Sequence, residues 1–221
     1  MSLYDRLVEA CADDWRAYVE HPFVEMMAAG TLPEAAFRHY LIQDYLFLIQ
    51  FARAYALAAY KGRTMEEMRY GLDGLRAILD GEMALHVKYC AGWGLTPADL
   101  EAADEDMPAT AYTRFVLDWG VRGDLLDLHV ALAPCIVGYA EIAARLATRP
   151  GALDPSNPYA EWIAEYAGEG YREVAREARA HLDRLAARSL TEARFSDCAA
   201  IFAQASLLEA DFWSMGLAGA A

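Results

Sequence analysis

The segment Ala131 to Ala140, ALAPCIVGYA, sets a thiol and a phenol four residues apart, Cys135 and Tyr139, on what reads as one face of an apolar helix. A lone cysteine in such a helix is usually a small core residue. It becomes a nucleophile only where its thiolate can form and a substrate can reach it. Pro134 brings a local cause for a pocket. Its ring lacks an N–H and clashes with the carbonyl of Val130, so the helix is predicted to kink there and open a polar space beside the thiol.

Two carboxylates are stranded in equally apolar surroundings. An unpaired buried charge is costly, so such a group finds a partner, shifts its pKa or serves a ligand. Asp44, in Gln43-Asp44-Tyr45-Leu46-Phe47, shares a helix face with Tyr40, Phe47 and Leu48. It either accepts a hydrogen bond from a Tyr or Arg of a neighbouring helix or holds a ligand, and the spacing leaves both open. Glu209, in Leu207-Leu208-Glu209-Ala210-Asp211-Phe212-Trp213, faces aromatic rings three and four positions on. A carboxyl group buried beside rings has a raised pKa and suits a general acid; the plain alternative is a glutamate near the chain end, half in solvent.

Other patterns carry less. Glu82 and His86 lie one helical turn apart, a spacing open to metal ligation, but there are five histidines and no Glu-x-x-His of the di-iron bundle type. A structural hydrogen bond or ion pair is the expectation for them, with no metal and no cofactor. The run Glu169 to Arg184 reads as a solvated helix face with i,i+4 charge pairs. No P-loop, G-x-G-x-x-G or Ser-His-Asp arrangement is present. Cys11, Cys90, Cys135 and Cys198 form no C-x-x-C pair, which suggests reduced thiols and neither a disulfide framework nor a zinc site.

The elements that must position these groups are helices. Apolar residues recur at spacings of three and four almost throughout, and strand-like alternation is missing over any useful length. Helices are predicted at Leu3 to Glu20, Pro33 to Lys61, Met65 to Ala91, Pro97 to Ala103, Ala109 to Val121, Leu125 to Thr148, Tyr159 to Ser189 and Glu192 to Met215. Their ends carry Gly62, Thr96-Pro97 and the Pro150 to Pro158 break. With 221 residues, 56% hydrophobic, and one short Pro-rich loop, the expectation is an all-α, single-domain helical bundle. The helix from Pro33 is apolar around most of its circumference, so it is central to the bundle or shared with another subunit. A formal charge of −14 argues against nucleic acid as a partner. No Lys/Arg-flanked apolar run reaches membrane length and the acidic N-terminal stretch is unlike a signal peptide, so a cytoplasmic, non-membrane protein is expected.

Taken together, these islands resemble the TenA family, thiaminase II or aminopyrimidine aminohydrolase, of the haem-oxygenase-like all-α fold. The resemblance spans nearly the whole chain. It is carried by His21-Pro22-Phe23, Tyr40 to Tyr45 with Phe47, Glu82 to His86, Tyr112, Pro134-Cys135 with Gly138-Tyr139, Trp162-Ile163 with Tyr166, and Glu209 with Phe212-Trp213. It implies the cysteine-bearing branch, a cofactor-free hydrolase of thiamin salvage and a homotetramer. The substrate would be 4-amino-5-aminomethyl-2-methylpyrimidine or thiamin, its substituent replaced by hydroxyl. By matching positions, Cys135 would add to C6 of the ring, Glu209 would protonate the adjacent nitrogen and Asp44 would hold the amino-pyrimidine edge. Tyr112, Tyr139 and Tyr166 would line the pocket with Phe47 against the ring. No His or Lys stands within one turn of Cys135, so Asp44 or Glu209 is the first candidate to take the thiol proton. The competing readings are a metal-dependent oxidase of the same fold, built on Glu82 and His86, and a non-catalytic pyrimidine-binding or regulatory protein.

Overall fold

Helix signals in the sequence mark most of the observed boundaries. In the computed structural model, which describes residues 1–219, every regular element among the described residues is helical. The described chain gathers into two compact units: residues 1–33 with 129–214, and residues 34–128 with 215–219.

The first unit opens with α1 (Leu3–Ala10), whose start is fixed by a reciprocal capping box between Ser2 and Asp5. The periodicity predicts one helix to Glu20, but the chain breaks at Cys11, where φ is −131°, and restarts as α2 (Ala12–Val19). The break has no Gly or Pro to announce it. It belongs to the aromatic core, in which Trp15 meets the Tyr4 ring edge-on at 5.8 Å and stacks on Phe202 at 5.4 Å. A short α3 (Pro22–Ala28) follows, absent from the sequence prediction. His21 caps it, its Nδ1 accepting from the Phe23 amide at 3.2 Å, and Pro22 occupies the first position.

The helix α9 (Leu125–Ala133) runs into a wide π-helical turn, Pro134–Gly138, and on into α10 (Tyr139–Ala147). Where a kink is predicted at Pro134 the chain therefore takes an extra residue into one turn, which accommodates the missing N–H without breaking the helix. Taken together, Leu125–Ala147 is 23 residues long and holds an 18-residue window of mean hydropathy 1.5, long and apolar enough to cross a membrane by length and composition. That corrects the expectation that no run reaches this length. Its most apolar window is 83% buried inside the protein, as a core helix would be. Gly168 divides the predicted helix Tyr159 to Ser189 into α11 (Ala160–Ala167) and α12 (Glu169–Ser189) by taking up an extended conformation. The last helix, α13 (Glu192–Ala218), contributes its residues up to Ser214 to this unit.

The second unit is organised on α4 (Glu34–Lys61), the longest helix, against which pack α5 (Met65–Arg76), α6 (Met83–Ala91), α7 (Pro97–Glu101) and α8 (Met107–Arg122). The expected central role of α4 within its unit follows from its buried faces, which include Tyr40, Asp44, Phe47 and Phe51. A second π-helical turn, Ala77–Glu82, joins α5 to α6 where one straight helix is predicted. The approach of α5 to α4 depends on Gly71, where a Cβ would lie 2.4 Å from the Ala59 amide nitrogen.

Candidate active site

Within the first unit the wide turn after α9 presents Cys135. Cys11, Cys90 and Cys198 are buried, whereas Cys135 is partly exposed. Burial pushes the Cys11 and Cys90 thiols up to about 11, so both stay protonated at neutral pH and are poor nucleophiles. The turn is held from outside: the Tyr18 hydroxyl donates to the Pro134 carbonyl at 3.2 Å, and a Cβ on Gly138 would run into the Tyr18 ring at 2.4 Å. Gly138 thus allows the tyrosine to lie directly on the turn that carries the thiol.

One turn on, Tyr139 is brought against Tyr166 of α11, with ring centroids 5.2 Å apart. Trp162 lies 4.6 Å from Tyr166, and Trp213 of α13 lies 5.4 Å from Tyr139. The result is a wall of aromatic faces and edges in one unit, suited to a flat ring. Glu209 is 2% exposed, which removes the half-solvated alternative for it. Its neighbours three and four positions along α13, Phe212 and Trp213, are equally buried.

Within the second unit Asp44 is buried on α4, and its Oδ2 takes a polar contact from each of two side chains. The Tyr40 hydroxyl, one turn back on the same helix, donates to it at 3.0 Å, and His86 Nε2 of α6 lies 2.6 Å away. The expected partner from a neighbouring helix is thus a histidine, while the tyrosine comes from α4 itself. His86 Nδ1 contacts the Glu82 backbone carbonyl at 2.8 Å. The Glu82 and His86 spacing therefore serves a structural hydrogen bond, as expected, although the oxygen is the main-chain one. Burial alone would depress the His86 pKa; the Asp44 charge and hydrogen bond and the Glu82 carbonyl outweigh it and hold the imidazolium above its ordinary range. Phe47 packs on Tyr112 of α8, with centroids 5.1 Å apart. Asp44 and Phe47, three apart, thus stand beside one another with Tyr112 behind the ring.

Residues 9–219 match the model of the TENA/THI-4/PQQC family. The chain belongs to this family. An aminopyrimidine aminohydrolase of Halalkalibacterium halodurans is 37% identical over 216 residues, which cover 97% of this chain and 95% of that protein. A solved TenA family transcription regulator from Silicibacter sp. TM1040 matches with a TM-score of 0.92 at 41% identity, over 97% of this chain and 96% of that one. A protein from Shewanella denitrificans described as having a heme oxygenase-like fold matches with a TM-score of 0.71 at 14% identity, over 96% of this chain and 90% of its own, a likeness of fold alone.

Membership of the TENA/THI-4/PQQC family bears out the resemblance seen in the sequence, and its all-α, haem-oxygenase-like fold is that of the structure. Among the described residues no group of three His, Cys, Asp or Glu side chains is placed to hold a metal ion. The metal-dependent oxidase reading on Glu82 and His86 is left without a ligand set. His86 and Tyr40 are the polar partners that sequence reasoning passed over as functional. The signal was available for both: Tyr40 stands one turn from Asp44 on its own face, and an imidazole in an apolar helix needs a partner as much as a carboxylate does.

Proposed function

We propose that the protein is an aminopyrimidine aminohydrolase of thiamin salvage, replacing the amino group of 4-amino-5-aminomethyl-2-methylpyrimidine, or the thiazolium of thiamin, by hydroxyl. It is a hydrolase by its likeness, over nearly its whole length, to a protein bearing that activity in its name. The observation that carries the chemistry is Cys135, the one partly exposed thiol of the four, on a wide helical turn whose next residues lead into the Tyr139 and Tyr166 wall.

In this mechanism the Cys135 thiolate adds to C6 of the pyrimidine while Glu209 delivers a proton to the adjacent ring nitrogen. A protonated ring is the better electrophile, which is why a carboxylic acid is required there. The electrons gained by the ring expel ammonia or the thiazole from the exocyclic methylene. Water adds at that carbon, and loss of the thiolate with return of the proton restores the aromatic ring. Asp44 accepts from the exocyclic amino group, Phe47 and Tyr112 contact the ring face, and Tyr139 and Tyr166 line the pocket. The family match across residues 9–219 takes in both units, in keeping with a single functional domain.

The test is release of ammonia from the aminopyrimidine by the purified protein. Cys135→Ser is expected to lower kcat by on the order of 10³-fold with the helical signal in circular dichroism unchanged. Full activity in that variant rules out the covalent route. A regulatory reading has one observation in its favour, the description of the Silicibacter relative as a transcription regulator, but a charge of −14 opposes direct contact with nucleic acid. Tight pyrimidine binding without turnover would favour it. A cytoplasmic location and a homotetrameric assembly complete the proposal.

A further inference from the structure

We infer that His86 is a positioning residue which shares a single proton with Asp44 and thereby presents Asp44 Oδ1 to the amino edge of the pyrimidine. The inference rests on the reading above that Asp44 holds that edge.

The proton count follows from the partners. A backbone carbonyl only accepts, so the 2.8 Å contact to Glu82 fixes the proton of His86 on Nδ1. Nε2 then lies 2.6 Å from Asp44 Oδ2. Two lone pairs cannot sit at that distance with nothing between them, so a second proton lies on this line. It makes the pair an imidazolium facing a carboxylate. The buried pair is then neutral overall, which avoids the cost of an isolated buried charge. The Tyr40 hydroxyl adds a second donor to the same Oδ2 at 3.0 Å. Oδ2 is thereby committed to the protein, and Oδ1 is the oxygen left to meet a ligand.

A pyrimidine amino group is a donor and needs an acceptor. A carboxylate supplies one, and His86 keeps that carboxylate paired while it does so. Around the pair stand Tyr40 from α4, the Glu82 carbonyl and the charge of its side chain from the π turn, and Cys90 on α6, whose thiol feels both Asp44 and Arg38. As pH rises through the elevated His86 pKa the shared proton leaves. An imidazole lone pair then faces a carboxylate, and ligand affinity falls on the alkaline side.

Two measurements decide the matter. The first follows the His86 ring nitrogens by ¹⁵N NMR in the full chain without ligand. The titration step is expected above the ordinary imidazole value of about 6.5, and Asp44→Asn is expected to bring it below that value. A step at or below 6.5 in the unaltered protein overturns the shared proton. The second measures the Kd of the product, 4-amino-5-hydroxymethyl-2-methylpyrimidine, by calorimetry between pH 6 and 10. His86→Gln retains a donor to Asp44 but cannot titrate; it is expected to weaken binding about tenfold at neutral pH and to abolish the alkaline loss. An unchanged Kd and pH profile in His86→Gln overturns the positioning role. If the unaltered protein binds no pyrimidine, the functional reading falls and the presentation of Oδ1 with it, whereas the NMR titration separately judges the proton pair.

Discussion

Cys135 differs from its three fellow thiols by environment and not by chemistry. Cys11 and Cys90 are held protonated by burial, up to about 11, and Cys198 is fully buried. A small alkylating reagent at pH 8 is therefore expected to label Cys135 in the native protein while sparing the other three, as read by peptide mass spectrometry. Labelling of Cys90 at a comparable rate would show that the partial exposure of Cys135 does not set its reactivity. Sequence singled out Cys135 through its proline and its tyrosine. It gave no means of telling that Cys11, in the equally helical stretch Leu3 to Glu20, would be sealed by a thiol contact to the Leu7 carbonyl at 3.2 Å. For Asp44 the same division holds. Its need for a partner was legible from the apolar run around it, but the identity of that partner was not, because His86 lies 42 residues away on another helix.

At the scale of elements, the contact of α9 with α12 carries a pH dependence. His129 and His181 meet edge to face with ring centroids 4.6 Å apart. Burial, with His181 beside it, pushes His129 well below its ordinary value. Burial and the Arg184 charge lower His181 to about 4, against a smaller opposing effect of Glu177. Both folded values are depressed, so the native state holds these imidazoles neutral while the unfolded chain protonates them. Their stabilisation is complete above the unfolded value of about 6.5 and is lost as pH falls toward 4, at up to about 1.4 kcal/mol per pH unit for each fully neutral ring. The urea midpoint is expected to fall steadily from pH 6.5 to 4.5, with a shallower slope in His181→Leu. A midpoint that is flat over this range would show that the pair does not govern acid stability. The boundaries of these helices were mostly legible from caps and breakers. The exceptions are the Cys11 break, where the aromatic cluster around Trp15 packs, and the π turn at Ala77, while at Pro134 the expected kink takes the form of a π turn.

For the molecule as a whole, the proposed homotetramer needs an apolar contact surface. The end of α4, α5 and the following turn supply a candidate: Tyr60, Met65, Met68, Leu72 and Leu79 are all exposed. Surface apolar residues at spacings of three, four and seven along a helix form a stripe, which on a chain of net charge −14 is an unusual feature to leave in water. Sedimentation velocity is expected to report a mass of four chains, and Met68→Glu with Leu72→Glu to lower it. A monomeric unaltered protein would remove the assembly from the proposal.

What the sequence determined by itself is whatever local pattern encodes: helicity throughout from the three and four spacing, most helix ends from their capping and breaking residues, and the conspicuous positions of Cys135, Asp44 and Glu209 in apolar runs. The tertiary structure decided what depends on residues remote in the chain. It set which thiol stays reachable, which ring faces Tyr139 and which base meets Asp44. Burial and proton sharing are properties of neighbours in space, and those neighbours lie tens of residues apart in the chain, beyond the reach of any local pattern.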